Sequence, residues 1–493
     1  MDIQKLSPLL VANRGEIAQR VIRTCRRIGI DVIALKDKEE KYAPYTKGAS
    51  QVLSVSGQFR DANEIIMLAK KANAKSIHPG YGFFAENPDF AEQCRQAGIL
   101  FIGPTPEVIA KMGDKKEAKE LAKKARVPVL EGVEANLKTL SEIEAMTFPV
   151  LLKAASGGGG KGMRIVEHKN QLRETLLSLQ EEAKRLYGNP TVLAESYLTK
   201  CRHVEVQILG NANGENFAIS DRDCSLQRNN QKIIEEAPAP GLDEEVRKNL
   251  REAAVHLANA VQYTGAGTVE FLYDPNSHEF YFLEMNTRLQ VEHTITEEIT
   301  GMDLVEEQLK IAAGFTGRYE GVIEKGVAIE ARLCAEKPDS SFQPSAGEIL
   351  KWMEPKNRDW LRIDSGYDTH SIVSPHYDNM LAKVIVRANT RKEAIEKLTE
   401  ALQEFIILGV DSNIPLLIHL LHHPIFVQEN MHTKAVYEML TTLKPNPLHV
   451  DMAAMLYYAH LANTLSSDLG DRRNFMLFDE PSIFYFSSSE VSR

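Results

Sequence analysis

The sequence has few cysteines, no long apolar run and no excess of positive charge. Its 493 residues include five cysteines that are scattered and form no Cys-x-x-Cys pair, so neither a disulfide framework nor a zinc site is indicated. No apolar run approaches the roughly 20 residues of a membrane span, and the first residues show no signal peptide. A formal net charge of −10 argues against a nucleic-acid surface. These absences predict a cytoplasmic protein that binds neither a membrane nor nucleic acid.

The length and the local patterns predict several domains. A chain of 493 residues is too long for one core. Strand, helix and strand patterns over 8–13, 15–28 and 31–35 indicate an open α/β domain at the start. Strongly alternating apolar and polar residues over 204–209 and 327–333 predict antiparallel strands, as expected in an α+β region.

One short segment, residues 282–293 with the sequence FLEMNTRLQVEH, concentrates acidic, amide and guanidinium side chains. Alternation along a strand places Glu284 and Asn286 on one face, where their oxygens suit a Mg²⁺ ion that also holds nucleotide phosphates. Arg288 offers a planar fork to a carboxylate-like anion, and Glu292 is a candidate general base. A surface ion-pair network is the alternative for this pattern taken alone. Matching motifs elsewhere in the chain favour the functional interpretation.

A run of glycines over 157–160 precedes Lys161. A Walker A loop needs a glycine five positions before the glycine of its Gly-Lys pair, and Ser or Thr after the lysine. This chain has Ala155 and Gly162 at those positions, so the motif fails. A hairpin lid whose backbone N–H groups close over phosphates fits better, with Lys153 on the preceding strand directed at them. A plain flexible loop is the alternative, but the acidic segment favours the lid.

Several motifs occur in order along the chain. They read VANRGEIA (11–18), HPGYGF (78–83), MGDK (112–115), the glycine run with Met163 and Arg164, RDCSLQR (222–228), QKIIEEAPAP (231–240), and the strand that contains Glu284. Together they resemble the ATP-grasp enzymes and, among these, the biotin carboxylases, over about residues 3–443. The resemblance implies a mixed α/β and α+β protein. We predict the divisions 1–125 (N-terminal α/β domain), 126–203 (ATP-grasp lid domain), 204–330 (ATP-grasp catalytic portion), 331–443 (C-terminal antiparallel α+β domain) and 444–493 (appended tail).

The resemblance implies ATP and Mg²⁺, or alternatively Mn²⁺, as ligands. Glu270, Glu284 and Asn286 match the metal ligands. The residues that match the nucleotide site are Lys115 and Lys153, Gly159 and Gly160 of the lid, Glu195 and Leu198 at the ends of the adenine hinge, and His203 and Gln227 on the ribose side. A packed strand histidine is the alternative for His203.

The remaining matches imply chemistry on bicarbonate and biotin. Lys232, Arg288 and the Val291 backbone match the bicarbonate site, and Glu292 matches the base that deprotonates bicarbonate. Arg332 matches the residue that stabilises the enolate of biotin. The resemblance thus implies ATP-dependent formation of carboxyphosphate, followed by carboxylation of biotin.

The chain departs from the family pattern in two places. Where these enzymes usually read QRRHQK, residues 227–232 read QRNNQK, so a basic residue is lost at Asn229 while Asn230 keeps a hydrogen-bonding group. We expect weaker nucleotide contact rather than inactivity, with Asn230 still at the nucleotide site. The loop over 35–41 reads LKDKEEK instead of the usual Ser-x-Ala-Asp pattern, which puts this loop and a subunit contact in doubt.

The biotin-attachment motif A/V-M-K-M occurs nowhere in the sequence. Biotin is therefore expected in trans, on a biotinylated carrier protein or domain, with its ureido ring near Tyr81. A carboxyltransferase subunit and a second copy of the chain, in a homodimer, are the other expected partners. Residues 375–380 and the tail favour the α-chains of acyl-CoA carboxylases. The alternatives are acetyl-CoA or urea carboxylase components, another ATP-grasp ligase that joins a carboxylate to an amine, and a non-catalytic scaffold.

Overall fold

The computed structural model describes residues 2–38, 40–130, 132–155, 162–338 and 342–443. The predicted tail over 444–493 and the predicted lid residues Gly159 and Gly160 lie outside the described residues. Within the described ranges, no helix is long and apolar enough to cross a bilayer.

The N-terminal region forms a parallel sheet with helical connections. Its five strands lie in the spatial order Gln51–Val55, Val32–Asp37, Leu9–Val11, Ser76–His78 and Leu100–Phe101. Its α-helices are Gly15–Arg27, Ala62–Lys71, Pro88–Gln96 and Pro106–Gly113. Side chains just before the last three helices accept hydrogen bonds from first-turn N–H groups, which fixes where these helices begin. The predicted α/β start is confirmed.

Two neighbouring strands of this sheet, Leu9–Val11 and Ser76–His78, run parallel, so their carboxyl ends meet at one edge. Asn13 joins the loops that follow them, because its Nδ2 donates to the carbonyl oxygens of Pro79 and Tyr81, each at 2.7 Å. Tyr81 therefore lies in the kind of loop in which open α/β sheets carry their ligands.

A four-stranded antiparallel sheet follows, in the order Gly132–Ala135, Val192–Ser196, Val150–Ala154 and Met163–Val166. Apolar residues at helical spacing on Leu172–Tyr187 cover one face of this sheet. The register Leu151↔Glu195 and Lys153↔Leu193 puts Lys153 and Glu195 on the opposite face. The Lys115–Lys124 helix precedes this sheet and the short Leu140–Glu144 helix lies within the same region.

An eight-stranded sheet dominates the rest of the protein, and all its neighbouring strands are antiparallel. The spatial order is Glu279–Asn286, Gly265–Asp274, Arg202–Gly210, Asn216–Arg228, Gln231–Ala237, Val327–Cys334, Met380–Ala388 and Leu361–Ser365. Val327–Cys334 pairs on both sides, with Gln231–Ala237 and with Met380–Ala388. The predicted boundary at 330/331 thus falls inside a strand of one continuous sheet, and the domain divisions stay predictions.

The remaining elements pack around these sheets. The other α-helices are Glu244–Ala260, His293–Thr300, Leu304–Ala312, Arg391–Glu404, Ile414–His422, Pro424–Val427 and Ala435–Leu440, and the 3₁₀ helices are Ile3–Leu6, Pro44–Thr46 and Lys169–Gln171. Short strand pairs are Glu336–Lys337 with Gln343–Pro344, Gly347–Glu348 with Ile372–Val373, and Lys351–Met353 with Ile406–Leu408. Helices from the C-terminal region enclose the largest apolar core together with the last strands of the large sheet.

Candidate active site

The three predicted metal ligands lie on two paired strands. Glu270 and Glu284 are direct cross-strand partners, and Asn286 follows Glu284 by two residues on the same face. A register shift after Glu270 interrupts the ladder at this point. Such irregularities re-aim side chains next to functional sites.

The electrostatics of this pair suit a cation. The Glu284 side chain is solvent-exposed, but crowding by the surrounding protein raises the pKa of its carboxyl, and the neighbouring carboxylates of Glu270 and Glu86 raise it further against the opposing charge of Lys115. A divalent ion between such carboxylates would relieve this repulsion, and carboxylate and amide oxygens are the donors that Mg²⁺ prefers. The residues present therefore fit the predicted ion.

Lys232 organises the centre of the site. It lies on Gln231–Ala237, and its Nζ donates to three carboxylates: Glu205 at 2.7 Å, Glu270 at 2.8 Å and Glu292 at 2.6 Å. One ammonium group thus joins a predicted metal ligand to the predicted base. Such a cluster of buried acids around one lysine persists only because the charges compensate each other.

Glu292 is fully buried beside two predicted partners. Besides Lys232, it accepts a hydrogen bond from Arg332 at 3.1 Å. Burial opposes ionisation of this carboxyl, but Lys232, Arg332 and Arg222 outweigh it and hold its pKa well below the usual range. Glu292 is therefore a carboxylate, which is the form that a general base requires.

Arg332 bridges two acids. Its Nε donates to Glu235 at 2.6 Å, while its other contact is with Glu292. Burial raises the pKa of Glu235 to about 7, since the opposing charge of Arg332 is offset in part by Glu292. The guanidinium thus lies where it meets both the predicted base and a carboxyl that titrates near neutrality.

Arg288 links this cluster to the N-terminal region. Its guanidinium donates to Glu86 at 2.8 Å, to Gln290 at 2.9 Å and to Asn286 at 3.0 Å. The Arg288 guanidinium, which was predicted to hold an anion, thus binds the Glu86 side chain. The neighbouring Val291 has its carbonyl oxygen hydrogen-bonded to the buried Lys383 at 2.9 Å, which fixes this peptide unit.

The predicted nucleotide residues form two further groups. Glu195 accepts from Lys153 at 2.7 Å and from Lys119 at 2.8 Å, and the Leu198 carbonyl accepts from Cys201 Sγ at 3.7 Å. Lys115 lies close to this group: burial lowers its pKa, and the nearby Lys153 lowers it further against Glu284 and Glu195. A phosphate chain would add a second anion to this group of lysines and favour the charged form of Lys115.

His203 and Gln227, both predicted on the ribose side, lie together, with Gln227 Nε2 at 3.3 Å from His203 Nδ1. The other ring nitrogen of His203 is 3.0 Å from Glu270, so this histidine faces the carboxylates rather than only packing in a strand. Tyr81 packs against the apolar cluster that contains Leu289. No hydrogen bond joins it to Lys232, Glu292 or Arg332 within the described part of the chain.

Asn229 and Asn230 form the tip of the hairpin between Asn216–Arg228 and Gln231–Ala237. Arg228 pairs with Gln231, so the loop has two residues, and both have positive φ, 52° and 62°. Hairpins of this length need two left-handed residues, and asparagine adopts that conformation more readily than most side chains. The change from the family pattern therefore suits the turn, and Asn230 is exposed at its end.

Sequence reasoning missed several residues that the structure brings to this site: Glu86, Lys119, Glu205, Arg222, Glu235 and Gln290. The sequence carried no signal for Glu205, because its alternation with Val204 and Val206 is typical of a half-exposed strand. The structure instead buries this strand along its whole length, where a carboxylate requires a cationic partner. For Glu86 no local signal exists, because its partner Arg288 is distant in sequence.

The paired carboxylate strands, the lysines that face them and the separate four-stranded lid sheet define an ATP-grasp enzyme. Three family models match in order: "Biotin carboxylase, N-terminal domain" over residues 5–109, "Carbamoyl-phosphate synthase L chain, ATP binding domain" over 114–318, and "Biotin carboxylase C-terminal domain" over 330–438. The chain is 42% identical over 440 residues to Biotin carboxylase 1 of Bacillus subtilis (strain 168), covering 87% of this chain and 98% of that protein. The chain belongs to the biotin carboxylase family.

Two further similarities extend this result. The alpha subunit of mitochondrial methylcrotonoyl-CoA carboxylase from Mus musculus is 43% identical over 452 residues, which are 90% of this chain and 63% of that protein. The biotin carboxylase domain dimer of Hydrogenobacter thermophilus 2-oxoglutarate carboxylase, solved with MgADP, ADP and bicarbonate, superimposes with a TM-score of 0.85 at 38% identity, covering 89% of this chain and 98% of that one. The predicted class, an ATP-dependent biotin carboxylase that uses ATP, Mg²⁺ and biotin, is confirmed.

Proposed function

We propose that this chain carboxylates biotin on a carrier protein, with ATP and bicarbonate, as the biotin carboxylase component of an acyl-CoA carboxylase. The observation that carries the proposed chemistry is the cluster in which Lys232 and Arg332 both donate to the buried Glu292. It combines an ionised base with cations that can receive an anion.

The first step activates bicarbonate. Arg288 and Lys232 bind the anion, and Glu292 removes its proton so that the oxygen can attack the terminal phosphate of ATP. Lys232 now donates to Glu292 at 2.6 Å. When Lys232 also pairs with bicarbonate, it stabilises the Glu292 carboxylate less. The pKa of Glu292 then rises, and Glu292 becomes a stronger base.

The chain's own residues also bind the nucleotide and the metal. Lys115 and Lys153 are directed at the phosphates, and Glu270, Glu284 and Asn286 would hold the metal. Bound Mg²⁺ supplies neutralisation of charge on the phosphates. Glu195 and Leu198 mark the two ends of the adenine hinge. On the ribose side lie His203, Gln227 and Asn230. The predicted glycine lid, whose residues 157–160 lie outside the described ranges, would exclude water from the labile carboxyphosphate.

The second step transfers the carboxyl group. Carboxyphosphate breaks down to CO₂ and phosphate beside biotin, and the phosphate takes the N1 proton. The resulting enolate attacks CO₂ through N1, which forms the N–C bond of carboxybiotin. Arg332 stabilises this enolate, and its contacts with Glu235 and Glu292 keep it in place. Tyr81 lies near the ureido ring in this proposal.

The assignment to an acyl-CoA carboxylase rests on likeness. The sequence over 375–380 is similar to that of acyl-CoA carboxylase α-chains, and a methylcrotonoyl-CoA carboxylase alpha subunit is a relative of 43% identity. In this proposal the biotinylated carrier lies outside the present sequence, a carboxyltransferase accepts the carboxyl group, and two copies of the chain form a dimer, as the Hydrogenobacter thermophilus domain does. Acetyl-CoA, pyruvate and urea carboxylases are the alternatives. Isolation of the native complex and identification of its biotinylated and carboxyltransferase subunits decides among them.

The purified chain is expected to hydrolyse ATP in a bicarbonate-dependent reaction that free biotin accelerates. The physical reason is that the γ-phosphate has an acceptor only when bicarbonate occupies the Lys232 cluster. ADP release is measured with and without bicarbonate and biotin. Turnover that needs an amine instead of bicarbonate would favour another ATP-grasp ligase, and absence of turnover with any biotinyl carrier would favour a scaffold.

Replacing Glu284 by glutamine is expected to raise the Mg²⁺ concentration needed for half-maximal rate and to lower turnover. The substitution keeps the shape of the side chain but removes an anionic ligand. The matched control is Glu279→Gln, at an exposed position on the same strand. Titration of the rate with Mg²⁺ at saturating ATP measures the effect, and an unchanged requirement would show that Glu284 is not a ligand.

A further inference from the structure

The hairpin tip is held by a tyrosine from the C-terminal helix Ala435–Leu440. The backbone N–H of Asn229 donates to Tyr437 Oη at 3.0 Å, and the same hydroxyl donates to Asn229 Oδ1 at 2.6 Å. One phenol thus binds the backbone and the side chain of the same residue. The side-chain contact depends on asparagine, because an arginine side chain at 229 offers no acceptor.

The base of the hairpin is held from another direction. Arg228 forms an ion pair with Glu336 at 2.9 Å, and its guanidinium lies 3.6 Å from the centre of the Phe342 ring. Asn230 has no such contact of its own among the described residues, but it lies between the fixed Asn229 and the paired strand. The backbone direction of Asn230 is therefore set on one side by the contact of Asn229 with Tyr437, and on the other side by the pairing of Gln231 with Arg228.

The same C-terminal segment reaches the adenine hinge. The backbone N–H of Thr433 donates to the Cys201 carbonyl at 3.0 Å, and Lys434 Nζ lies 4.8 Å from the centre of the Tyr197 ring. Cys201 in turn donates through Sγ to the carbonyl of Leu198 at 3.7 Å. Residues 433–437 thus contact both the hinge over 195–198 and the hairpin over 227–232.

We propose that residues 433–437 form a clamp that positions the nucleoside side of the ATP site, with Tyr437 as its positioning residue. This inference rests on the proposed function, which assigns the hinge and the hairpin to the nucleoside. Tyr437 holds Asn229, and thereby Asn230, in the left-handed turn, while Lys434 and Thr433 hold the hinge at the other end. The pair Asn229 and Tyr437 replaces a basic side chain with a preorganised turn, so the sequence departure preserves nucleotide binding rather than weakening it.

Tyr437→Phe tests this clamp, since it removes only the hydroxyl. The KM for ATP is expected to rise roughly three- to tenfold, the effect of one or two ordinary hydrogen bonds on a binding constant. kcat and the KM for bicarbonate are expected to stay unchanged. Binding of a non-hydrolysable ATP analogue, measured by calorimetry without turnover, is expected to weaken by the same factor.

The matched control is Tyr42→Phe. Tyr42 and Tyr437 are similarly exposed, 46% and 47%, and the hydroxyl of Tyr42 also contacts a polar side chain, Asp368 at 3.3 Å. This variant is expected to bind the analogue like the wild type. In a double-mutant cycle, Asn229→Ala and Tyr437→Phe are expected to be non-additive, because each removes the same contact.

The outcomes separate the clamp from the proposed function. If the wild type binds the analogue and shows bicarbonate-dependent turnover while Tyr437→Phe binds equally well, the clamp is wrong and the function stands. A fall in kcat with unchanged analogue binding also overturns the clamp. If the wild type binds no ATP analogue at all, the proposed function fails and the clamp fails with it. A thermal transition close to that of the wild type shows that the variant is folded.

Discussion

Replacing Glu292 by glutamine is expected to lower the rate of biotin carboxylation by roughly 10²–10⁴, the usual effect of losing a positioned general base. Glutamine keeps the shape, but its single amide oxygen retains only one of the two contacts with Lys232 and Arg332, and it cannot take the proton of bicarbonate. ATP affinity is expected to change little, because Glu292 contacts none of the predicted nucleotide residues directly in the described structure. Carboxybiotin formation and binding of an ATP analogue are measured on the same preparation.

The matched control for this substitution is Glu298→Gln. Glu298 lies on the helix that follows Glu292, and its carboxylate contacts Arg362 at 3.3 Å, away from the Lys232 cluster. This variant is expected to keep wild-type carboxylation. A Glu292→Gln enzyme that retained most of its carboxylation while folding normally would exclude Glu292 as the base.

Replacing Arg332 by alanine is expected to uncouple the two steps. Arg332 is proposed to act on the enolate of biotin, so biotin carboxylation is expected to fall by roughly 10²–10³, the usual loss when one donor to a developing oxyanion is removed. Bicarbonate-dependent ATP cleavage is expected to fall much less. The ratio of carboxybiotin formed to ADP released is the direct measurement, because it is insensitive to the fraction of active enzyme.

A second variant, Arg332→Lys, separates the loss of the Arg332 side chain from the loss of its positive charge. Removing Arg332 leaves Glu235 and Glu292 with one cation fewer, which raises their pKa values. Arg332→Lys keeps the charge but lacks the planar fork, so it is expected to restore stability while recovering only part of the coupling. Loss of both activities in equal proportion in the alanine and lysine variants would contradict the proposed division of labour between Glu292 and Arg332.

The sequence predicted those parts of the site that lie close together along the chain. Alternation placed Glu284 and Asn286 on one strand face, and the register confirms this placement. The α/β start and the antiparallel strands over 204–209 and 327–333 are also confirmed, because their patterns are local. Periodicity needs only a few neighbouring residues to indicate a helix or a strand.

The parts that sequence reasoning did not reach depend on long-range pairing. Glu205 and Lys232 meet because their strands share a sheet, and Glu86 reaches Arg288 from a loop that follows the Ser76–His78 strand of a separate sheet. At Asn229 the sequence indicated only a lost charge. The structure gives the physical reason for asparagine, which is the left-handed turn, and adds the contact with Tyr437.

The continuous eight-stranded sheet sets an order of events during synthesis on the ribosome. Lys232 lies on the strand Gln231–Ala237. One neighbour of this strand in the sheet is Val327–Cys334, which is synthesised much later. Until Arg332 has been added, Glu235 and Glu292 lack its guanidinium. The complete acid–base site therefore arises late in translation of this region. A ribosome that stops before that strand releases a chain with an open sheet edge, the feature through which nascent polypeptides pair with one another and aggregate.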